Sequence, residues 1–178
     1  MNPTSTAWYF AYGSNMQRAT FAGRRGIVSA RELPARLDHW RLVFDKPPLL
    51  PIGESYANIV RDVGAHVLGV LYEVTFDDLA HIDLTEGVAL GNYQRIEVPV
   101  ATLHRLGDAP QTGFTLTSER RDGQLRPSVR YMNLLIAGAI EHGLPNHYVD
   151  FLRAVPAQPE TAEAIEFRAL LDEGMRRR

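Results

Sequence analysis

Cysteine is absent from the 178 residues, which removes disulfides, thiol nucleophiles and cysteine-ligated zinc together. No apolar run approaches the length of a membrane span. The opening Met1-Asn2-Pro3-Thr4-Ser5-Thr6 also lacks the charged-then-apolar order of a secretory leader, so the cytoplasm is the expected location. An excess of one charge is missing too. Nineteen Lys and Arg against 21 Asp and Glu leave a net charge of −2, which argues against a nucleic-acid or membrane-surface role. Arg176-Arg177-Arg178 is a local exception, but it follows a helical pattern whose negative end suits terminal cations. The 6 histidines contain no His-x-x-x-His pair, and the interval from His142 to His147 is broken by Gly143 and Pro145. No metal and no cofactor is expected.

What is present describes one globular domain with a sizeable core, at 45% hydrophobic and 22% charged residues. Runs rich in Val, Ile, Leu and aromatics predict strands at residues 7–12, 40–44, 56–60, 65–74, 93–102 and 113–117. Helical patterns follow at 76–85, 128–142, 146–155 and 160–173. Strands first and longer helices later indicate an α+β fold, with residues 1–6 as a flexible N-terminus and about 156–178 as a helical extension. Residues 45–54 carry three prolines and a glycine and read as a loop, whose Leu49, Leu50 and Ile52 are compatible with a lid over a pocket, a dimer contact or a loop folded onto the core, the last being favoured.

Two features point to chemistry. Trp8-Tyr9-Phe10-Ala11-Tyr12 reads as a strand buried on both faces, ending in Gly13-Ser14-Asn15, a bend that allows close backbone approach to a ligand. Backbone N–H groups freed at such a bend can cradle a carboxylate or a developing oxyanion. The second feature is Glu86. Thr75 caps a short helix, Phe76, Leu79 and Ile82 mark its buried face, Gly87 stops it, and the next step of the stripe lands on Glu86. Partial burial and the negative helix end both favour the protonated form of a carboxyl group, which suits a general acid/base. Asp83, three residues earlier, is a candidate to tune it.

The segment Tyr9-Phe10-Ala11-Tyr12-Gly13-Ser14-Asn15-Met16, then Glu86-Gly87-Val88, then Gly91-Asn92-Tyr93 leading into an apolar strand, resembles the gamma-glutamylcyclotransferase family. A third stretch agrees. Tyr131, about a dozen residues before Gly143-Leu144-Pro145, is similar to the family's late helix with its substrate-contacting tyrosine. The likeness spans about residues 7–155 and is weakest in 45–54. It implies a small closed mixed β-barrel with flanking helices. It also implies closure of a γ-glutamyl group to 5-oxoproline with release of an amino acid or amine. Residue by residue, it makes Glu86 the acid/base, Tyr9, Phe10, Ala11, Tyr12, Gly13, Ser14 and Asn15 the substrate-binding loop, and Tyr131 a substrate contact. No cofactor is implied, the partner is a small γ-glutamyl substrate, and a homodimer is compatible.

Alternatives remain at this level. Tyr9 and Tyr12 fall on opposite faces of a strand, so at least one belongs to the core. Tyr131 shares an apolar helical face with Leu134, Leu135 and Gly138, where an aromatic often only packs. A non-catalytic binding module on the same fold would keep the turn without using the acid. Among enzymes, a cyclotransferase specialised for γ-glutamyl amines or a biosynthetic intermediate fits equally.

Overall fold

The computed structural model describes residues 5–105 and 109–176, with the side chains of residue 105 and of residues 171–176 excluded. Most of the N-terminal stretch expected to be flexible, and Arg177 and Arg178 of the basic tail, lie outside the described residues.

Five strands close a barrel in the order β1-β3-β2-β4-β5. They are β1 (Thr6–Ala11), β2 (Arg31–Lys46), β3 (Tyr56–Thr75), β4 (Gln94–Thr102) and β5 (Gln111–Thr117). The barrel is mixed, because β1 pairs antiparallel with β3 but parallel with β5. Closure leaves no sheet edge, and the apolar faces meet inside around Phe10, Leu37, Ile59, Leu71 and Tyr72, all 0% exposed.

Two strands are longer than the pattern alone predicts. Strand β2 starts at Arg31 rather than residue 40, because residues 31–39 bury only Ala35 and Leu37 and carry four charges and a proline, a weak strand signal completed by pairing with β3. Strand β3 runs without a break where two strands were expected. The interruption there is a bulge: Asp38 pairs with His66 and Trp40 with Arg61, so residues 62–65 face His39 alone, with Gly64 at φ 97° and His39 at φ 66°.

The helices are α1 (Phe76–Thr85), α2 (Val129–Glu141), α3 (Asn146–Arg153) and α4 (Ala162–Arg176). Thr75 and Asp78 form a reciprocal capping box on α1, as the acids in its first turn predict. Phe76 is a correction. It is half exposed, so the buried stripe begins at Leu79 and Ile82. Ser128 caps α2 by accepting the Tyr131 N–H at 3.3 Å. Helix α2 then crosses the first turn of the chain at Gly138, where a Cβ would lie 2.6 Å from the backbone of Met16 and Gln17. Only glycine permits that approach, so Gly138 sets the position of the 13–16 turn.

The proline-rich loop after β2 buries Ile52, which stands outside the hydrophobic core of the barrel, and leaves Leu49 and Leu50 about half exposed. It is pinned from outside by Thr161, whose hydroxyl donates to the Ile52 carbonyl at 2.5 Å, and by Gln158, which donates to the Gly53 carbonyl at 2.8 Å.

Candidate active site

The end of β1 and the end of α1 converge. After Gly13 the chain makes one turn of 3-10 helix over Ser14–Met16, closed by the Met16 N–H on the Gly13 carbonyl at 3.0 Å. Neither Ser14 nor Asn15 acts as its side-chain cap. Gly13 has a negative φ of −110°, so the bend does not use glycine's left-handed freedom. Its lack of a side chain instead makes room for Tyr131, whose hydroxyl would sit 3.2 Å from a Cβ there.

Asn15 is the hub of this turn. Buried to 5% exposure, it donates from Nδ2 to the Tyr9 hydroxyl and to Glu86 Oε1, both at 3.1 Å, and accepts at Oδ1 from Arg25 Nε at 2.7 Å. Arg25 closes the cluster by donating from its two terminal nitrogens to Glu86 Oε1 and to the Thr85 hydroxyl. Glu86 ends α1 in helical conformation, its N–H on the Ile82 carbonyl at 2.9 Å. Gly87 follows at φ 71°, the left-handed stop that glycine supplies. Both internal hydrogen bonds to the carboxylate fall on Oε1. Among the described residues Oε2 has no hydrogen-bond partner, so one oxygen is anchored and the other is not.

The remaining wall is aromatic. Tyr131 accepts the Ala57 N–H at 3.1 Å, lies against the Ser14 backbone, and meets Tyr56 edge-on at 5.0 Å. Tyr93 donates to the Ala57 carbonyl at 2.9 Å. Burial pushes the hydroxyls of Tyr9, Tyr12, Tyr93 and Tyr131 well above the ordinary phenol range, with the Glu86 charge acting the same way. They stay protonated near neutral pH.

The structure brings together Tyr9, Gly13, Ser14, Asn15, Glu86 and Tyr131. It places Phe10 and Tyr12 differently: Phe10 is sealed in the barrel with its carbonyl accepting from Thr115 at 2.8 Å, and the Tyr12 hydroxyl is spent on the Leu116 carbonyl at 2.6 Å. Ala11 is likewise buried in β1. Both tyrosines of the strand are core residues, though Tyr9 also reaches the site. Asp83 turns away to Arg95, at 2.6 Å, and has no hydrogen bond to Glu86. Burial raises the Asp83 pKa and Arg95 offsets part of that.

Four further residues belong here that sequence reasoning did not assign. Arg25 is one, in the polar stretch after the turn. The others are Asn92, which donates to the Glu86 carbonyl at 2.8 Å, and Lys46 and Arg120, which both donate to Asn92 Oδ1, Arg120 at 3.1 Å. Lys46 is 1% exposed, 4.3 Å above the Tyr93 ring, and burial together with the Arg120 charge lowers its pKa to about 8. The sequence signal for Lys46 was its place between a strand and a proline run; for Arg120 there was none.

No group of three or more potential metal ligands lies together among the described residues, and no helix there is long and apolar enough to cross a membrane. Residues 66–152 match the AIG2-like family. Human gamma-glutamylcyclotransferase is 30% identical over 165 residues, covering 89% of this chain and 83% of that protein. Gamma-glutamyl cyclotransferase gliK of Aspergillus fumigatus is 27% identical, covering 90% and 67%. A solved gamma-glutamyl cyclotransferase superposes with a TM-score of 0.77 at 26% identity, covering 92% of this chain and 98% of that one. The closed mixed barrel with flanking helices is that protein's fold, and with this match the chain belongs to the gamma-glutamylcyclotransferase family and is an enzyme.

Proposed function

We propose that the protein cyclises the γ-glutamyl group of an amide to 5-oxoproline and releases the amine or amino acid, with Glu86 as the proton shuttle. The observation that carries this reading is the half-anchored carboxylate. Glu86 Oε1 is held by Asn15 and Arg25, no hydrogen bond among the described residues falls on Oε2, and the Glu86 charge acts on the hydroxyls of Tyr9 and Tyr131.

The α-ammonium of the substrate gives a proton to Glu86, and the freed amine attacks its own γ-carbonyl carbon. The C–N bond to the leaving group then breaks as Glu86 gives that proton to the departing nitrogen. The second proton carried by the attacking nitrogen passes the same way through Glu86 to the released amine, which leaves as an ammonium, so one carboxylate carries both protons. No other reactant enters. Holding the flexible chain folded contributes an effective molarity of about 10⁵ M or more when geometry is good, so the pocket acts largely through shape. Asn15, at the start of a 3-10 turn, has no intrahelical acceptor for its N–H group, while the Ser14 N–H is directed at the Tyr131 hydroxyl, so the donor to a developing oxyanion on this side is the Asn15 N–H or the Tyr131 hydroxyl that Ser14 orients. Tyr9 and Tyr131 then bind substrate through their hydroxyls, while Phe10, Ala11 and Tyr12 contribute by fixing the strand beneath.

The test is 5-oxoproline release from γ-glutamyl dipeptides and amines, read by mass spectrometry without added metal. Glu86→Gln is expected to lower turnover by about 10² or more while substrate binding stays close to wild type and the chain stays folded, with a melting temperature lower by several degrees because Arg25 loses its counter-charge. Retained turnover in that variant would overturn the assignment of Glu86.

A further inference from the structure

Lys46 and Arg120 converge on one neutral oxygen. Both donate to Asn92 Oδ1, and among the described residues neither has a carboxylate partner. The carboxylate that acts on Lys46 through space is Glu86, and Glu86 is already committed to Arg25. Two cations brought together out of water repel each other and lose hydration, a cost the fold has no internal reason to bear. An anion from outside would compensate both.

The surroundings indicate which part of a substrate carries that anion. Arg120 is half-buried and oriented by the Pro48 carbonyl, which accepts from it at 3.0 Å. It forms one wall of a recess of about 360 Å³ whose other walls include Pro47, Pro48, Leu49, Pro51 and Leu125. Asp122 also lines the recess, with its carboxylate capping its own turn through the Gln124 N–H at 2.9 Å. The recess is separate from the space between Glu86, the 13–15 turn and Tyr131, and the link between them is Asn92, whose amide holds the Glu86 carbonyl on one side and the two cations on the other. Leu49 belongs to both regions, approaching within 3.4 Å of a Cβ built on Gly87. A γ-glutamyl amide with its scissile nitrogen at Glu86 would therefore send its leaving group past Asn92 toward Arg120.

We propose that Arg120, backed by the charge of Lys46, binds a carboxylate on the leaving group, and that the proline-lined recess seats an apolar side chain beside it. Among γ-glutamyl amino acids, those with an apolar side chain are then preferred, and Arg120 is the residue that holds their carboxylate. This rests on the cyclisation reading above. Arg120 supplies a planar pair of donors to a carboxylate, and a site built around such a pair rejects an analogue that leaves it unpaired.

The test compares γ-glutamyl-leucine with γ-glutamyl-3-methylbutylamide, which has the same apolar chain without the carboxylate. The wild-type enzyme is expected to favour the acid by about thirtyfold in kcat/KM. Arg120→Gln should collapse that ratio to about two- or threefold, mainly through KM for the acid, and Arg120→Lys should restore part of it. γ-Glutamyl-glycine, with nothing to place in the recess, should be about tenfold poorer than the leucine compound. A wild-type ratio near one, or a ratio unchanged in Arg120→Gln because both substrates fall together, overturns the assignment. The wild-type comparison needs no variant to fold. Absence of 5-oxoproline from every compound would instead overturn the cyclisation reading on which this one stands.

Discussion

Two charged clusters flank the same short turn, and they are built in opposite ways. On one side of Glu86, Arg25, Asn15, Tyr9 and Thr85 satisfy one another, so the charge is compensated and the carboxylate is fixed. On the other side, across Asn92, Lys46 and Arg120 share one amide oxygen, and among the described residues neither has a carboxylate of its own in contact. A compensated cluster holds a geometry, whereas an uncompensated one stores a preference for something not yet bound. The contrast gives the two sides opposite responses to the same change, removal of a cation.

On the compensated side, removal should do the most damage. Arg25→Met strands the Glu86 carboxylate and the Asn15 oxygen in a site where both members of the pair are less than one fifth exposed, at 15% and 18%. A loss of about 2 kcal/mol is expected, read as a lower urea midpoint with unchanged m-value. Turnover should fall as well, because Oε1 is no longer held. If Arg25→Met were neutral in stability, the cluster would not be a compensated unit.

On the uncompensated side the sign reverses. Lowering the Lys46 pKa from 10.5 to about 8 corresponds to roughly 3 kcal/mol of destabilisation near neutral pH. Lys46→Met keeps the length and the contact with the Tyr93 ring while removing the charge, and should stabilise the fold by about 1–3 kcal/mol at pH 7. Melting would rise by several degrees. The pH dependence follows from the same shift. Below about pH 8 the folded lysine is charged and the whole penalty is present. Between about 8 and 10.5 the folded chain has released the proton that the unfolded chain still holds, so wild-type stability rises with pH, and the variant should lack that rise. The groups that face Lys46 are Arg120, Glu86 and the rings of Tyr56 and Tyr93. Loss of stability on Lys46→Met would mean that the Lys46 charge is a net stabiliser of the fold and that the two cations are compensated.

The two clusters also differ in how far they could be read from the chain. Local chemistry was legible: the Thr75 cap, the Gly87 stop, the 13–15 turn and the position of Glu86 all follow from residues within a few places of one another. The barrel and the place of Tyr131 beside the 13–15 turn were legible through resemblance, since nothing in a run of short strands dictates closure. What was not legible depends on register between distant segments. Arg25 reaches Glu86 across 61 positions, and Lys46 meets Asn92 across 46. No periodicity reports such pairings. Residues 31–39 were missed as strand for a related reason, because their strand character comes from the partner β3 and not from their own propensity. Gly138 was visible as part of an apolar face, yet its reason lies in the Met16 backbone it touches.

Asp83 offers the smallest and most discriminating change. By sequence it sits one helical turn before Glu86, where a second carboxylate would tune the first. In the structure its carboxylate meets Arg95 at 2.6 Å, with side chains 22% and 36% exposed, and it forms no hydrogen bond with Glu86. An ion pair of that exposure contributes little, about 1 kcal/mol or less. Asp83→Asn should therefore change the melting temperature by no more than a few degrees and kcat by less than about twofold, with an unaltered pH profile for turnover. A shifted acid limb in the kcat profile would show that Asp83 acts on Glu86 through space after all. The compensated cluster would then extend one turn further along α1 than its hydrogen bonds indicate.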